Sequence, residues 1–225
     1  MGNKNNRGGA PVIRAAQKYA EMQLAAKELA EKREKAQKEM AEEAKAQQLA
    51  QQKTLARQRA FDFDYSTLPQ HSALAVKKNS EDGTVKLFIN IDIVHPHKTA
   101  RDINLLAVLP RYAQLITKVE LKLVAPSSHK SPEIYSGRIK NMMMTINCLN
   151  KFHLDEFLFV VSINSAYNFA QMKLAAAVFG LNFNNWVMET EVLGVKGRFP
   201  VEVGSQWDRR LAGLYKAEFL GHKDL

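Results

Sequence analysis

After Pro11 the chain runs to Ala60 without a proline or a glycine, and almost without large apolar side chains. Such a segment cannot bury a core of its own, and its Ala, Lys, Glu and Gln are good helix formers. It reads as one long helical arm over residues 13–60, behind a polar, disordered tail over residues 1–12. Glu28 with Lys32, Glu31 with Lys35 and Glu34 with Lys38 are i, i+4 pairs in the favourable order. At ~1.5 Å rise per residue the arm would extend about 70 Å, more than a small domain can wrap. Its best heptad seam is Ala15, Tyr19, Met22, Ala26, Leu29, Arg33, Ala36, Met40, Glu43, Gln47, Ala50 and Thr54. That seam starts well and then would bury Arg33, Glu43 and Gln47, so a self-paired coiled coil is weakly encoded.

Charge divides at the same place. Residues 1–60 hold 13 basic and 7 acidic side chains, net +6, and residues 61–225 hold 19 and 16, net +3, of the total +9. A basic arm can attach to nucleic acid or another anionic surface. Here acids and bases interleave and no five like charges follow one another. That pattern favours a solvated helix of mixed charge, offered to a protein partner.

At 46% hydrophobic and 24% charged, the chain is neither collagenous nor wholly disordered. The lone Cys148 can form no internal bridge, so nothing points to an oxidising compartment. No apolar run approaches the roughly 18 residues of a membrane span, and the polar N-terminus is not a signal peptide. The expectation is an intracellular protein, cytoplasmic or nuclear.

Residues 61–83 read as a linker, with Pro69 and a polar stretch, closed by the turn signal Asp82-Gly83. From 84 to 225 strand and helix signals alternate. Residues 84–94 place Val85, Leu87, Ile89, Ile91 and Ile93 at every second position, a half-buried strand, and residues 118–124 repeat the pattern. Thr99, with Asp102, should cap a helix carrying Ile103, Leu106 and Leu109, which Pro110 ends or kinks. Ser131-Pro132-Glu133 opens a helix whose stripe is Tyr135, Ile139, Met142, Ile146 and Leu149. Residues 157–163 (FLFVVSI) are nearly all apolar, so that strand should be central and covered on both faces. Asn164 or Ser165 should cap a helix over 166–179, ended by Gly180. A strand over 186–193, a short edge strand near 200–203 and a helix capped by Ser205 and Asp208 complete the order β-α-β-α-β-α-β-(β)-α. The expected fold is α/β, a mostly parallel sheet with alternating helices, preceded by the helical arm.

The chemistry such sheets often carry is missing its motifs. There is no phosphate-binding G-x-x-x-x-G-K-[ST], no G-x-G-x-x-G and no G-x-S-x-G elbow. The most suggestive cluster is His95-Pro96-His97 after the first strand, with Asp92 close by. Two imidazoles and a carboxylate at a strand's carboxyl end could hold a metal ion or serve an enzyme. Proline spreads these side chains, however, and no further ligand is placed by spacing, so a polar loop is the default. Cys148 beside an apolar stripe reads as core, as do Met142, Met143 and Met144, which otherwise suggest an adaptable binding surface. Glu189 and Glu191 share a strand face and read as solvated. Arg209 and Arg210, near a helix start, could grip an anion; a structural role as outward partners of acids is favoured.

Phe183-x-x-Trp186, Gly204-Ser205-x-x-Asp208-Arg209-Arg210-Leu211 and Tyr215-x-x-x-Phe219 resemble a family of fungal α/β proteins that carries no assigned activity. The likeness covers residues 84–219, supports the fold and implies no site. No catalytic residue and no cofactor is assigned. The functional expectation is a non-enzymatic interaction module presenting residues 13–60 to a protein partner. The alternatives are an enzyme at His95 and His97, or nucleic-acid binding through the arm.

Overall fold

The computed structural model describes residues 10–94, 104–128, 131–165 and 168–222, with side chains of the first helix described mainly from residue 37 onward. The chain divides into two units, Met1–Leu55 and Ala56–Leu225. The first is helix α1, Ala10–Asp62, whose last residues belong to the second unit. With 53 residues it is about 80 Å long. Every side chain over 37–59 is exposed. Lys38 pairs with Glu34 at 2.8 Å and Lys35 with Glu39 at 3.9 Å, the i, i+4 support that an exposed helix needs.

The second unit is a six-stranded mixed sheet with helices. Its strands are β1 Leu74–Asn79, β2 Thr84–Asp92, β3 Lys118–Val124, β4 Glu156–Ile163, β5 Trp186–Val192 and β6 Phe199–Pro200. They lie in the sheet in sequence order. The pairs β2–β3, β3–β4 and β4–β5 are parallel, while β1 and β6 close the edges antiparallel. The stretch expected as a linker therefore holds a strand. Lys77, Lys78 and Asn79 masked it in the sequence, because charged residues suit an edge strand but break up its apolar alternation. Gly83 at φ +63° makes the β1–β2 turn, with Asp82 Oδ1 accepting from Thr84 N at 3.0 Å.

The connections are α2 Leu105–Val108 with the 3-10 turn Leu109–Tyr112, then α3 Pro132–Leu149, then α4 Phe169–Met172 continued by the 3-10 segment Lys173–Gly180. Helix α5, Gln206–Leu214, runs into a π turn, Tyr215–Phe219. Ser131 caps α3 and Ser205 caps α5 through their side-chain oxygens, as their spacing predicts. Two expected starts move. Helix α2 begins at Asn104, whose Oδ1 accepts from Leu106 N at 3.0 Å, while Thr99 and Asp102 lie outside the described residues. Helix α4 begins at Phe169 instead of 166. The Asn164 amide meets Gln171 Oε1 at 2.7 Å, and Gln171 Nε2 donates to Ala125 O at 3.0 Å. The polar hub of Gln171 thus ties the ends of β3 and β4 together and takes over the capping residue.

Parallel strands laid down in sequence order and joined by right-handed crossovers send every connecting helix to the same side. The core follows that rule. Val85, Leu87, Ile89, Val119, Leu121, Leu123, Phe157, Phe159, Val161, Ile163 and Met188 form one cluster with Ile139, Met143, Ile146, Leu174, Ala176, Leu211 and Phe219 of the helices. The alternate residues, Phe88, Val124, Leu158, Val160 and Val187, are outside that cluster. β4 is central, as its composition predicts, but the helices cover one of its faces. Its outward Val160 is nonetheless 0% exposed.

Ion pairs account for it. Register sets Val160 between Lys122 on β3 and Glu189 on β5. Lys122 meets Glu191 at 2.8 Å, and the Arg198 guanidinium meets Glu120 at 2.7 Å and Glu189 at 3.8 Å. Both links join β3 to the β5 side, over the uncharged Leu158, Val160 and Ser162 of β4. Lys86 and Lys118 pair with Glu156 at 3.6 and 3.4 Å, and Lys86 also reaches Glu120. Four cations and four anions make a neutral lattice whose aliphatic stems exclude water from the strand beneath.

Candidate functional site

Three places bear on function: the carboxyl end of β2, the start of α5 and the joint at the end of α1.

At the end of β2, Asp92 is half-buried and its Oδ1 accepts from Val94 N at 2.9 Å, a local turn. It borders a cleft of about 590 Å³ shared with His71, Asn90, Arg138, Asn141 and Thr145. His71 is buried, and its Nδ1 accepts from Ala73 N at 3.0 Å. Thr145 gives its hydroxyl to Asn141 O at 2.9 Å. These bonds shape the backbone around the cleft. His95 and His97 lie outside the described residues, and among the described residues no group of three His, Cys, Asp or Glu side chains is placed to hold a metal ion. The strand order β2-β3-β4-β5 also never reverses, so the sheet lacks the switch point at which α/β folds open a ligand crevice.

At α5, Arg210 and Arg209 differ. The Arg210 guanidinium carbon sits 4.0 Å from the Phe169 ring centroid and 5.9 Å from that of Trp207. Arg209 is exposed. Asp208 Oδ2 accepts from Gly204 N at 2.8 Å and Ser205 Oγ from Asp208 N at 3.2 Å, so the acid completes the cap. Glu189 and Glu191, read as a solvated pair, are half-buried members of the ion lattice. Cys148 is buried, and burial pushes its thiol up from the ordinary range, more than nearby Lys151 lowers it. It is a core residue. Met142 and Met143 are buried with it, whereas Met144, expected in the core too, is half-buried and borders the β2 cleft.

The joint at the end of α1 has no motif. Ala60 is buried, and its carbonyl accepts from the Tyr65 hydroxyl at 2.9 Å. Tyr65 stacks on Tyr112 at 6.4 Å and takes Phe63 edge-on at 5.2 Å. Lys78 donates to Phe63 O at 2.9 Å, with Phe61 and Tyr65 rings each 5.6 Å from its Nζ. Arg57 meets Asp155 at 3.5 Å. Asp64 accepts from the Ser66 hydroxyl and amide, which hold its carboxyl below the usual range. The stretch Phe61-Asp62-Phe63-Asp64-Tyr65 therefore sets the last turns of α1 into the second unit. Sequence reasoning missed this because the partners, Lys78, Tyr112 and Asp155, are distant in the chain. The aromatic–acid alternation was the available signal.

Compared with known proteins, the chain matches no protein family, no curated protein and no solved structure. Among the described residues no helix is long and apolar enough to cross a membrane.

Proposed function

We propose that the protein is an interaction module that offers α1 to a protein partner, with the α/β unit as its anchor. One observation carries this reading: 23 successive side chains, 37–59, are exposed, and the next residue begins a built joint. A helix needs tertiary packing for most of its stability. Exposed side chains along a helix are available to a partner that would supply such packing. Met40, Leu49 and Leu55 stand exposed on it at 56–61%.

The test is affinity capture with the full chain and with residues 56–225, a cut that spares Ala60 and the joint. Capture lost with residues 1–55, while circular dichroism and thermal melting of 56–225 stay cooperative, supports the reading. A partner retained equally by 56–225 refutes it.

A second reading has its own observation. Residues 44–61 carry Lys45, Lys53, Arg57 and Arg59 and no acid. Nucleic-acid binding through that stretch would weaken steeply with salt, its logarithmic slope near −0.9 per neutralised phosphate. Retention on duplex DNA or RNA that is unchanged between low and high salt excludes it.

A further inference from the structure

The carboxyl ends of β4 and β5 open onto a cleft of about 430 Å³ on the helix-covered side of the sheet. Its lining is mainly apolar, with Ile163, Met172, Val192, Val201 and Trp207 among the contributors. Apolar side chains continue onto the rim. Val195 and Phe199 line the cleft and are 49% and 45% exposed, while Leu193 and Val203, next in the chain to lining residues, are 76% and 93% exposed. Four large apolar side chains are exposed within eleven residues, two of them lining the cleft, and exposed apolar surface of that kind marks binding sites.

The charge beside the patch is unbalanced. Trp207, a lining residue, lies 5.3 Å from Phe169, and Arg210 stacks over both rings. Among the described residues, none of Lys196, Arg209 and Arg210 has a carboxylate within 4.0 Å; of the cations between 193 and 210 only Arg198 is ion-paired. Of the local acids, Asp208 is occupied by the Gly204 amide, and Glu202 alone borders the cleft. The Arg210 guanidinium, its carbon 4.0 Å from the Phe169 ring centroid, has given up part of its conformational freedom before it takes a carboxylate in two-point contact.

We propose that this surface binds a peptide segment of a protein partner in which acidic residues flank two or three apolar side chains. The apolar residues fill the cleft and cover the rim; the acids meet Arg210 and the neighbouring cations. A small ligand confined to the cleft would leave Leu193 and Val203 uncovered. Addition of a strand to the sheet edge is disfavoured, because β6 is two residues long and Pro200 has no N–H to give. The proposal concerns the α/β unit alone and stands or falls separately from α1.

The experiment is selection of a phage-displayed random dodecapeptide library on the immobilised full-length protein, followed by anisotropy titrations of the selected peptides. Acidic–apolar sequences should be enriched. Arg210→Glu and Val195→Asp should each weaken them about tenfold or more, while Val187→Asp, an exposed site on the other sheet face, changes binding less than about twofold. Val195 is half exposed, so its replacement leaves the core intact if Arg210→Glu disturbs α5. No enrichment, a consensus indifferent to charge, or binding insensitive to both substitutions overturns the proposal. So does retention on phosphatidylserine vesicles through these residues without peptide enrichment.

Discussion

The two faces of the sheet are built from alternate residues of the same strands and exclude water by different means. Phe159 and Val160 are neighbours in β4, and both are 0% exposed. Phe159 is sealed by a layer of helices, Val160 by ion pairs that close above it from β3 and β5. The first arrangement takes its stability from apolar area. In the second the ion pairs are partly exposed and individually weak, and their contribution is mostly shielding. Parallel sheets are usually covered by helices on both faces. Here one helix layer suffices because the central strand turns only Leu158, Val160 and Ser162 outward beyond Glu156, small enough for charged stems to span.

The largest expected effect falls on the helix-covered face. Phe159→Ala should cost about 3–5 kcal/mol in denaturant unfolding, and Val160→Ala about 1–2 kcal/mol. Equal losses at the two sites would mean that both faces are packed alike. Next, Glu120→Ala should lower stability by about 1–2 kcal/mol, since it strips Arg198 of its closest partner. A double-mutant cycle with Arg198→Ala should show positive coupling that shrinks in high salt, and coupling indifferent to salt would contradict an ion-pair cover.

Alkaline unfolding tests the joint at α1. Burial pushes the Tyr65 hydroxyl up to about 12, and Tyr112, Tyr135 and Tyr215 shift upward too. The folded state then holds protons that the unfolded chain releases near pH 10, so stability is intact below pH 10 and falls as pH rises toward 12. Tyr65→Phe should make that fall shallower while costing about 0.5–1.5 kcal/mol at neutral pH through the lost bond to Ala60. The smallest effect belongs to Tyr215→Phe. Its buried hydroxyl has no hydrogen-bond partner among the described residues, so melting should stay within about 0.5 kcal/mol of the parent or rise.

Much of this architecture is legible from local pattern. The alternation in residues 84–92 and 118–124, the apolar run at 157–163 and the capping oxygens of Ser131 and Ser205 report on neighbours one to four residues away, and the elements form where they indicate. The candidate sites were less legible. Arg210 is visible as a charge near a helix start, but its stacking partner Phe169 lies 41 residues upstream. Asp92 is seated at a cleft, whereas His95 and His97 lie outside the described residues.

By itself, then, the sequence settled the order of strands and helices from residue 84 onward, the helical character of the arm and which residues of those strands share a face. Only the tertiary structure decided that the helices occupy one side of the sheet, that β1 belongs to it, and that lysines, glutamates and Arg198 roof the other side. The physical reason is range. Period and capping act within a turn or a strand, whereas crossover handedness and cross-strand charge pairing depend on which distant segments become neighbours.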